Sequence, residues 1–535
     1  MAAVDAYAAP MSMVADPLPD DVEALQHELV QRRREAEQHR QEIEQQRQEV
    51  HELRKELAWY QEQQRLARAK KYGASSDTPP EQDVLFDEPE REVHRARTYA
   101  VKGHQRRKKG GGRAPLPEHL PREVRVHELT DEQCTCGCGG ALHVVDTEVT
   151  EQLEQIPAKL YVIEHHRRRY ACRRCGEGMQ RAPAPAAPIR GARVGPNLLA
   201  AIVAGKYVEA MPLYRMAAYY QRHDIDLDRQ TLARWMMKAG ELTAPVGDRL
   251  HALLLTRPVV HVDETPVQVL REAGRSAKQK STMWVYASGG LDPPIRLYAY
   301  QQSRGSEHPR RFLDGFGGYL QSDGFAGYDA LARACPAITG IGCWAHARRK
   351  FTDVQKAQDA STPDGEATWF VEQIGTLYDI ERALAEVTPR QRQARRQSEA
   401  APILEAIGER IEALAPRVPP KSLLGKAVTY TRKQWPQLTR YIEHGETAID
   451  NNTAERAIKP FVIGRKNWLF ANTPAGAHAS ARLYGLIETA KANAIEPYRY
   501  LAHLFTELPQ RNVEAGDPID DLLPWNVDLP DPAAR

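Results

Sequence analysis

From Asp21 to Lys71 polar Glu, Gln and Arg predominate around spaced apolar positions, with neither glycine nor proline, a pattern that predicts one long helix. Val22, Leu25, Leu29, Ala36, Ile43, Val50, Leu53, Leu57 and Tyr60 fall on the a and d positions of an unbroken heptad. The middle d positions are Arg32, His39 and Gln46, so the seam is apolar at its ends and weak between them. Such a seam calls for a second helix and predicts a homo-oligomer, parallel or antiparallel, of a size the polar d positions leave open. Gly73 ends the helix, and 73–120 reads as a basic, Pro- and Gly-rich linker with little means of forming a core.

Helical periodicity returns between Gly195 and Thr243, where three amphipathic helices are predicted with breaks at Met211-Pro212 and at "HDIDLD". Asp228 suits the N-cap of the third, which places Arg229, Gln230, Thr231 and Arg234 where a recognition helix touches base edges. A helix-turn-helix follows over 189–256, with a plain helical bundle as the alternative.

The period then shortens. "RPVVHVDETPVQVL", "STMWVYASG" and "IRLYAYQQSRG" read as strands, "SEHPRRFLDGF" as a helix and "GYLQSDGFAGYDAL" as a fourth strand. Asp263 and Glu264 interrupt the alternation of the first, and Asp323 stands at the end of the fourth. Strand, strand, strand, helix, strand with acids in those places is the ribonuclease H-like order. Residues 354–442 are helix-like and charged, and read as an insertion before "DNNTAERAIKP" supplies Glu455 on a helix starting near Asn452.

Composition changes the picture in two places. The 73 Lys+Arg nearly cancel the 71 Asp+Glu, yet cations gather in "HQRRKKGGGR" and "HHRRRYACRRC", which suits contact with a polyanion. Five of the seven cysteines are Cys134, Cys136, Cys138, Cys172 and Cys175. Clustered this way in a chain with no apolar span or leader, they argue for a structural zinc ion and a cytoplasmic location. Cys172 and Cys175 form one half-site, and two of the other three complete it. Cys335 and Cys343 read as small buried hydrophobes.

Asp263, Asp323 and Glu455 would form an oxygen cage for two magnesium or manganese ions, the demand of phosphodiester chemistry, in which cations about 4 Å apart serve the attacking and leaving oxygens. Asn452, Arg456, Lys459, Arg465 and Lys466 would hold phosphate oxygens, and Trp468 would stack on an unpaired base.

"KKYGASSD", "KYVEAMPLYR", "HVDETPVQVL", "SRGSEHPRRFL", "SDGFAGYDAL", "CWAHARRKF", "DNNTAERAIKPFVIGRKNWLF" and "IDDLLPWN" together resemble the DDE transposases of the insertion sequence 66 family, the large TnpC-type protein. The likeness runs along nearly the whole chain beyond residue 20. It implies a multidomain α+β protein: leader and coiled coil (1–72), linker (73–120), zinc module (121–188) and helix-turn-helix (189–256). A ribonuclease H-like α/β domain (257–353 and 443–495) follows, split by a helical insertion (354–442), with a C-terminal segment over 496–535. It also implies DNA cleavage and strand transfer at element ends, with small element-encoded accessory proteins and no membrane. The family's three acids fall on Asp263, Asp323 and Glu455. His346 and Arg348 match a family motif, and either contact the scissile phosphate or serve the core. The family's first cysteine pair is often C-x-x-C, whereas "CTCGCGG" leaves two ligands to be chosen among three. A silent DNA-binding regulator is the competing function, and a nuclease that cuts without joining is a third.

Overall fold

Strand β4 (Lys280–Ser288) is buried along all but its first residue, because its side chains alternate between two cores. The structure, a computed structural model, describes residues 22–72, 160–167, 169–171, 179–181, 183–357 and 365–529. Helix α1 is Val22–Tyr72, and a two-stranded antiparallel hairpin pairs β1 (Arg169–Ala171) with β2 (Met179–Arg181). Next come α2 (Pro196–Tyr207), α3 (Leu213–Gln221), α4 (Arg229–Leu242) and α5 (Ala244–Leu255). The sheet is built from β3 (Val259–Gln268), β4, β5 (Arg296–Gln301), β6 (Gly318–Gln321) and β7 (Ile338–Ile341), with α6 (Glu307–Phe312) and α7 (Ala326–Ala334) between them. The helices α8 (Trp344–Ala357), α9 (Glu366–Ala383), α10 (Pro389–Arg395), α11 (Ala401–Leu414) and α12 (Leu423–Thr439) follow, then α13 (Asn452–Trp468), α14 (Pro474–Ala492) and α15 (Pro497–Glu507).

Two compact units result. One combines α1 with Ile341–Asp450; the other holds the remaining described residues up to Gly340 and those from Asn451 onward.

In the second unit the strand order is β5-β4-β3-β6-β7, with β3–β4 and β4–β5 antiparallel and β3–β6 parallel. One face of the sheet, with Val267, Met283, Val285, Tyr298 and Tyr300, shares a core with α2–α4, α13 and α14. The other, with Val260, Val262, Trp284, Tyr286 and Leu320, packs on α5, α7 and α15. Burial on both faces explains why β4 reads as a continuous apolar run. Helix α14 presents small residues to its neighbours: a side-chain carbon at Gly240 of α4 would lie only 3.1 Å from Ala479.

In the first unit Phe351 of α8 stacks on Phe370 of α9 with centroids 4.3 Å apart. Arg396, in a short π-helical turn after α10, is buried with its charge met by Glu381 at 2.8 and 2.5 Å and by the carbonyls of Tyr441, His444 and Thr447. No helix among the described residues is long and apolar enough to cross a membrane.

Candidate active site

The local design begins with a strand edge. Strand β6 pairs with β3 only from Val259 to His261. Beyond that point the edge of β3 would be bare, and an uncovered edge leaves backbone groups unpaired. Helix α13 and its flanks take it over. Asn451 Nδ2 donates to the Val262 carbonyl at 2.8 Å. Further along, Arg465 Nη1 donates to Thr265 Oγ1 at 2.9 Å and to the Pro266 carbonyl. Past the helix, Ala471 N donates to Gln268 O at 2.9 Å and Leu270 N to Ala471 O at 3.0 Å, a parallel bridge. The helix therefore runs alongside β3 in the same direction, with its first turn level with Asp263.

That placement brings the acids together. Asp263 shares a sheet face with His261 and Val267, the face toward α13. Asp323 follows two residues after the last parallel pair, His261↔Gln321, and its charge acts on Asp263. Asp323 Oδ1 accepts from Phe325 N at 2.9 Å, a tight turn eased by Gly324 at φ 87°. Glu455, one turn into α13, is only 3% exposed.

The electrostatics show their proximity. Burial first, then the carboxylates of Glu264, Asp323 and Glu455, push the Asp263 carboxyl well above the usual carboxylate range. Every charge that moves Asp263 is another acid, so a hard cation bound among them would relieve both desolvation and repulsion. The carboxylate oxygens of these acids suit magnesium or manganese.

Sequence reasoning missed two features. Glu264, on the opposite sheet face, accepts from Arg304 Nε at 2.7 Å and from the Tyr328 hydroxyl, while Arg304 lies 3.9 Å from the Phe325 ring centroid. Burial still raises its carboxyl. Its signal was a second acid directly after Asp263 inside a strand. The other is a clamp between His261 and Asn451, whose Nδ1 and Oδ1 are 3.2 Å apart. Because Asn451 Nδ2 already donates to Val262, its Oδ1 must accept, so His261 carries its proton on Nδ1. Burial, aided by Arg296, pushes the His261 pKa down to about 4, so the ring is neutral.

The remaining candidates are spread over several elements. Arg229, Gln230 and Arg234 are exposed at the start of α4, where Asp228 accepts from Thr231 N at 2.6 Å. Arg234 also donates to Thr231 Oγ1 at 3.0 Å. Arg456 and Lys466 are exposed, and Asn452 and Lys459 half-buried, along the outer side of α13. Two others make contacts within the fold. Arg465 is committed to the β3 edge, and burial lowers its pKa. Trp468 is half-buried against Phe461, centroids 5.4 Å apart, with Lys206 Nζ 5.1 Å from its ring, so it packs instead of offering a free platform. His346 and Arg348 lie half-buried in α8, in the other unit. There Arg348 acts electrostatically on Tyr378, whose hydroxyl donates to Asp450 at 3.0 Å. Cys343 is buried and Cys335 only half-buried. Cys134, Cys136, Cys138, Cys172 and Cys175 lie outside the described residues, though Cys172 and Cys175 fall in the sequence between β1 and β2.

A mixed sheet that gathers acids beside a helix with a basic outer side defines an α+β protein with an acidic centre suited to divalent cations. The chain belongs to the transposase IS66 family, whose model matches residues 191–479, more than half of its length. Three further models match: the zinc-finger binding domain of transposase IS66 over 131–176, the IS66 C-terminal element over 485–525, and the transposase C of IS166 homeodomain over 59–125. The chain is similar to three proteins of Sinorhizobium fredii described as uncharacterized. It is 35% identical to y4jD (77% of this chain, 81% of that one), 32% to y4hP (82% and 81%) and 32% to y4qI (77% and 78%). No solved structure matches.

Proposed function

We propose that this transposase binds the terminal inverted repeats of its element, nicks the DNA there and joins the freed 3′-hydroxyl to target DNA. The observation that carries the reading is the convergence of Asp263, Asp323 and Glu455, with the Asp263 carboxyl raised by burial and then by the acids around it. The strand order β5-β4-β3-β6-β7, antiparallel in its first three and parallel at β3–β6, supports a ribonuclease H-like sheet. Two divalent cations, when bound, supply Lewis-acid activation of the attacking and leaving oxygens. The chain's own residues do the rest. Asp263, Asp323 and Glu455 are the ligands, the His261–Asn451 clamp holds Glu455 level with Asp263, and Arg304 with Tyr328 keeps Glu264 on the far side of the strand. Asn452, Arg456, Lys459 and Lys466 line the outer side of α13 for backbone phosphates, and Arg229, Gln230, Thr231 and Arg234 meet base edges.

Zinc, held by Cys172, Cys175 and two of Cys134, Cys136 and Cys138, would order the segment matched by the zinc-finger model. Leu29, Ile43, Val50, Leu53 and Leu57 are exposed along α1, which supports pairing with α1 of another copy. Small accessory proteins of the element complete the assembly, which works in the cytoplasm.

The test is a strand-transfer assay with labelled element-end DNA and a plasmid target, in magnesium and in EDTA, with accessory proteins added. Joined product that needs magnesium and disappears in Glu455→Gln supports the reading. A shifted band with no nick would make the chain a regulator, and released ends with no joining would make it a nuclease.

A further inference from the structure

Helix α13 ends abnormally. Leu469 has φ 66° and ψ −49°, and Phe470 N donates to Trp468 O at 2.9 Å, so the chain turns through a three-residue γ-turn of the rare positive-φ kind with leucine at its centre. A leucine there carries backbone strain, which persists only where the surroundings enforce it. Both sides do so. Trp468 is packed against Phe461, and Ala471 is locked to Gln268 and Leu270. Between these fixed points the Leu469 and Phe470 side chains are held outward, 63% and 42% exposed.

The surroundings say what meets them. On the outer side of α13, Asn452, Arg456, Lys459, Ile463 and Lys466 follow one another at helical spacing, and the Leu469–Phe470 turn comes directly after the helix. The buried side of the same helix carries Ala454, Glu455, Ile458, Phe461 and Val462. A line of cations thus leads from the turn that holds Glu455 to a rigid apolar tip. Arg271, exposed beside the bridge that anchors the tip, adds a further positive charge. A polyanion matches the line of cations, and stacked bases match the tip.

We propose that Leu469 and Phe470 form a wedge that enters the element-end duplex and unstacks one base step, while Arg456, Lys459 and Lys466 follow the phosphates. This rests on the DNA-joining reading above. Apolar side chains pushed between base steps open and kink a duplex, and the cost of unstacking is offset by closer contact with the bent DNA. A preformed tip lowers that cost, because the protein pays no ordering entropy on insertion. At 1.5 Å per residue, the tip stands about 21 Å from Glu455 along the helix, or about six base steps at 3.4 Å each. The distortion therefore belongs about six steps from the scissile phosphate.

The experiment uses full-length protein and duplexes from the DNA flanking its own element, with 2-aminopurine placed at successive positions from the cleaved phosphate. Saturation is confirmed by gel shift. Wild type is expected to raise fluorescence several-fold at one or two positions about six steps away. Leu469→Ser/Phe470→Ser should bind with affinity within a few-fold of wild type and lose that rise. Leu469→Gly, which relieves the strained turn, should melt no lower than wild type and show a weaker signal. Bound wild type that leaves every position at the free-duplex level overturns the wedge while leaving the joining reading standing. A double variant that keeps the full rise overturns it too. Failure of wild type to bind the duplex removes the DNA reading and the wedge together.

Discussion

Replacing Asn451 with alanine removes the two hydrogen bonds that fix the start of α13 to β3, at 2.8 Å to the Val262 carbonyl and 3.2 Å to His261. His261 and Asn451 are both essentially inaccessible to water, so the Val262 carbonyl and the His261 Nδ1–H are left without partners. Each buried orphan costs about 1–3 kcal/mol, which sets the loss at about 2–6 kcal/mol. The same change in a His261→Phe background orphans one group fewer and should cost about 1–2 kcal/mol less, a coupling that a double-mutant cycle reads from denaturant unfolding. Position is the second readout. Hydrogen exchange should speed up in the first turn of α13, and the melting temperature gained on adding magnesium should shrink, because Glu455 is no longer held level with Asp263. Asn451→Ala that costs under about 0.5 kcal/mol, within the range of an ordinary surface change, would refute the clamp. Full loss of stability with an unchanged magnesium response would refute its role in placing Glu455.

Without metal, Asp263→Asn should melt higher than wild type, by the equivalent of about 1 kcal/mol, and lose its response to magnesium, as calorimetry in EDTA and in magnesium would show. The pH dependence has a definite sign. Folding raises the Asp263 pKa above its ordinary 3.8, so the folded state takes up protons. Its contribution is fully present below pH 3.8 and is lost as pH rises toward the raised folded value, so the advantage of Asp263→Asn in EDTA should grow across that window. Magnesium affinity, measured by titration calorimetry, should move the other way and fall as Asp263 takes up its proton. Arg396→Met strands Glu381 and three carbonyls in the helical unit and should cost about 3–5 kcal/mol in denaturant unfolding. Arg234→Ala should weaken binding to element-end DNA by about 1–3 kcal/mol and relax base preference at one position, read by competition gel shifts.

Periodicity made much of this fold legible. The long α1, the breaks around α3 and the cap at Asp228 follow from spacing and local hydrogen bonding, which a sequence displays directly. The succession of β3, β4 and β5 was legible because their residues are β-rich and apolar on both faces. Strand β6 was shorter than "GYLQSDGFAGYDAL" suggests: it stops at Gln321, and the Asp323 turn with Gly324 at positive φ starts α7. Helix α13 was longer than its glycine and proline imply. It passes Pro460 at the loss of one backbone hydrogen bond, and it needs Gly464 because a side-chain carbon there would lie 2.4 Å from the Tyr484 hydroxyl. The Asn451 clamp and the commitment of Arg465 to a strand edge join positions about 200 residues apart. No local pattern announces them.

The central claim is that Asp263, Asp323 and Glu455 form one cation site, and it is tested most directly by growing crystals in manganese and mapping its anomalous scattering. The account predicts peaks among these three carboxylates in wild type, and their loss in Glu455→Gln. Well-ordered carboxylates with no anomalous peak between them, at a manganese concentration that supports strand transfer, would contradict it.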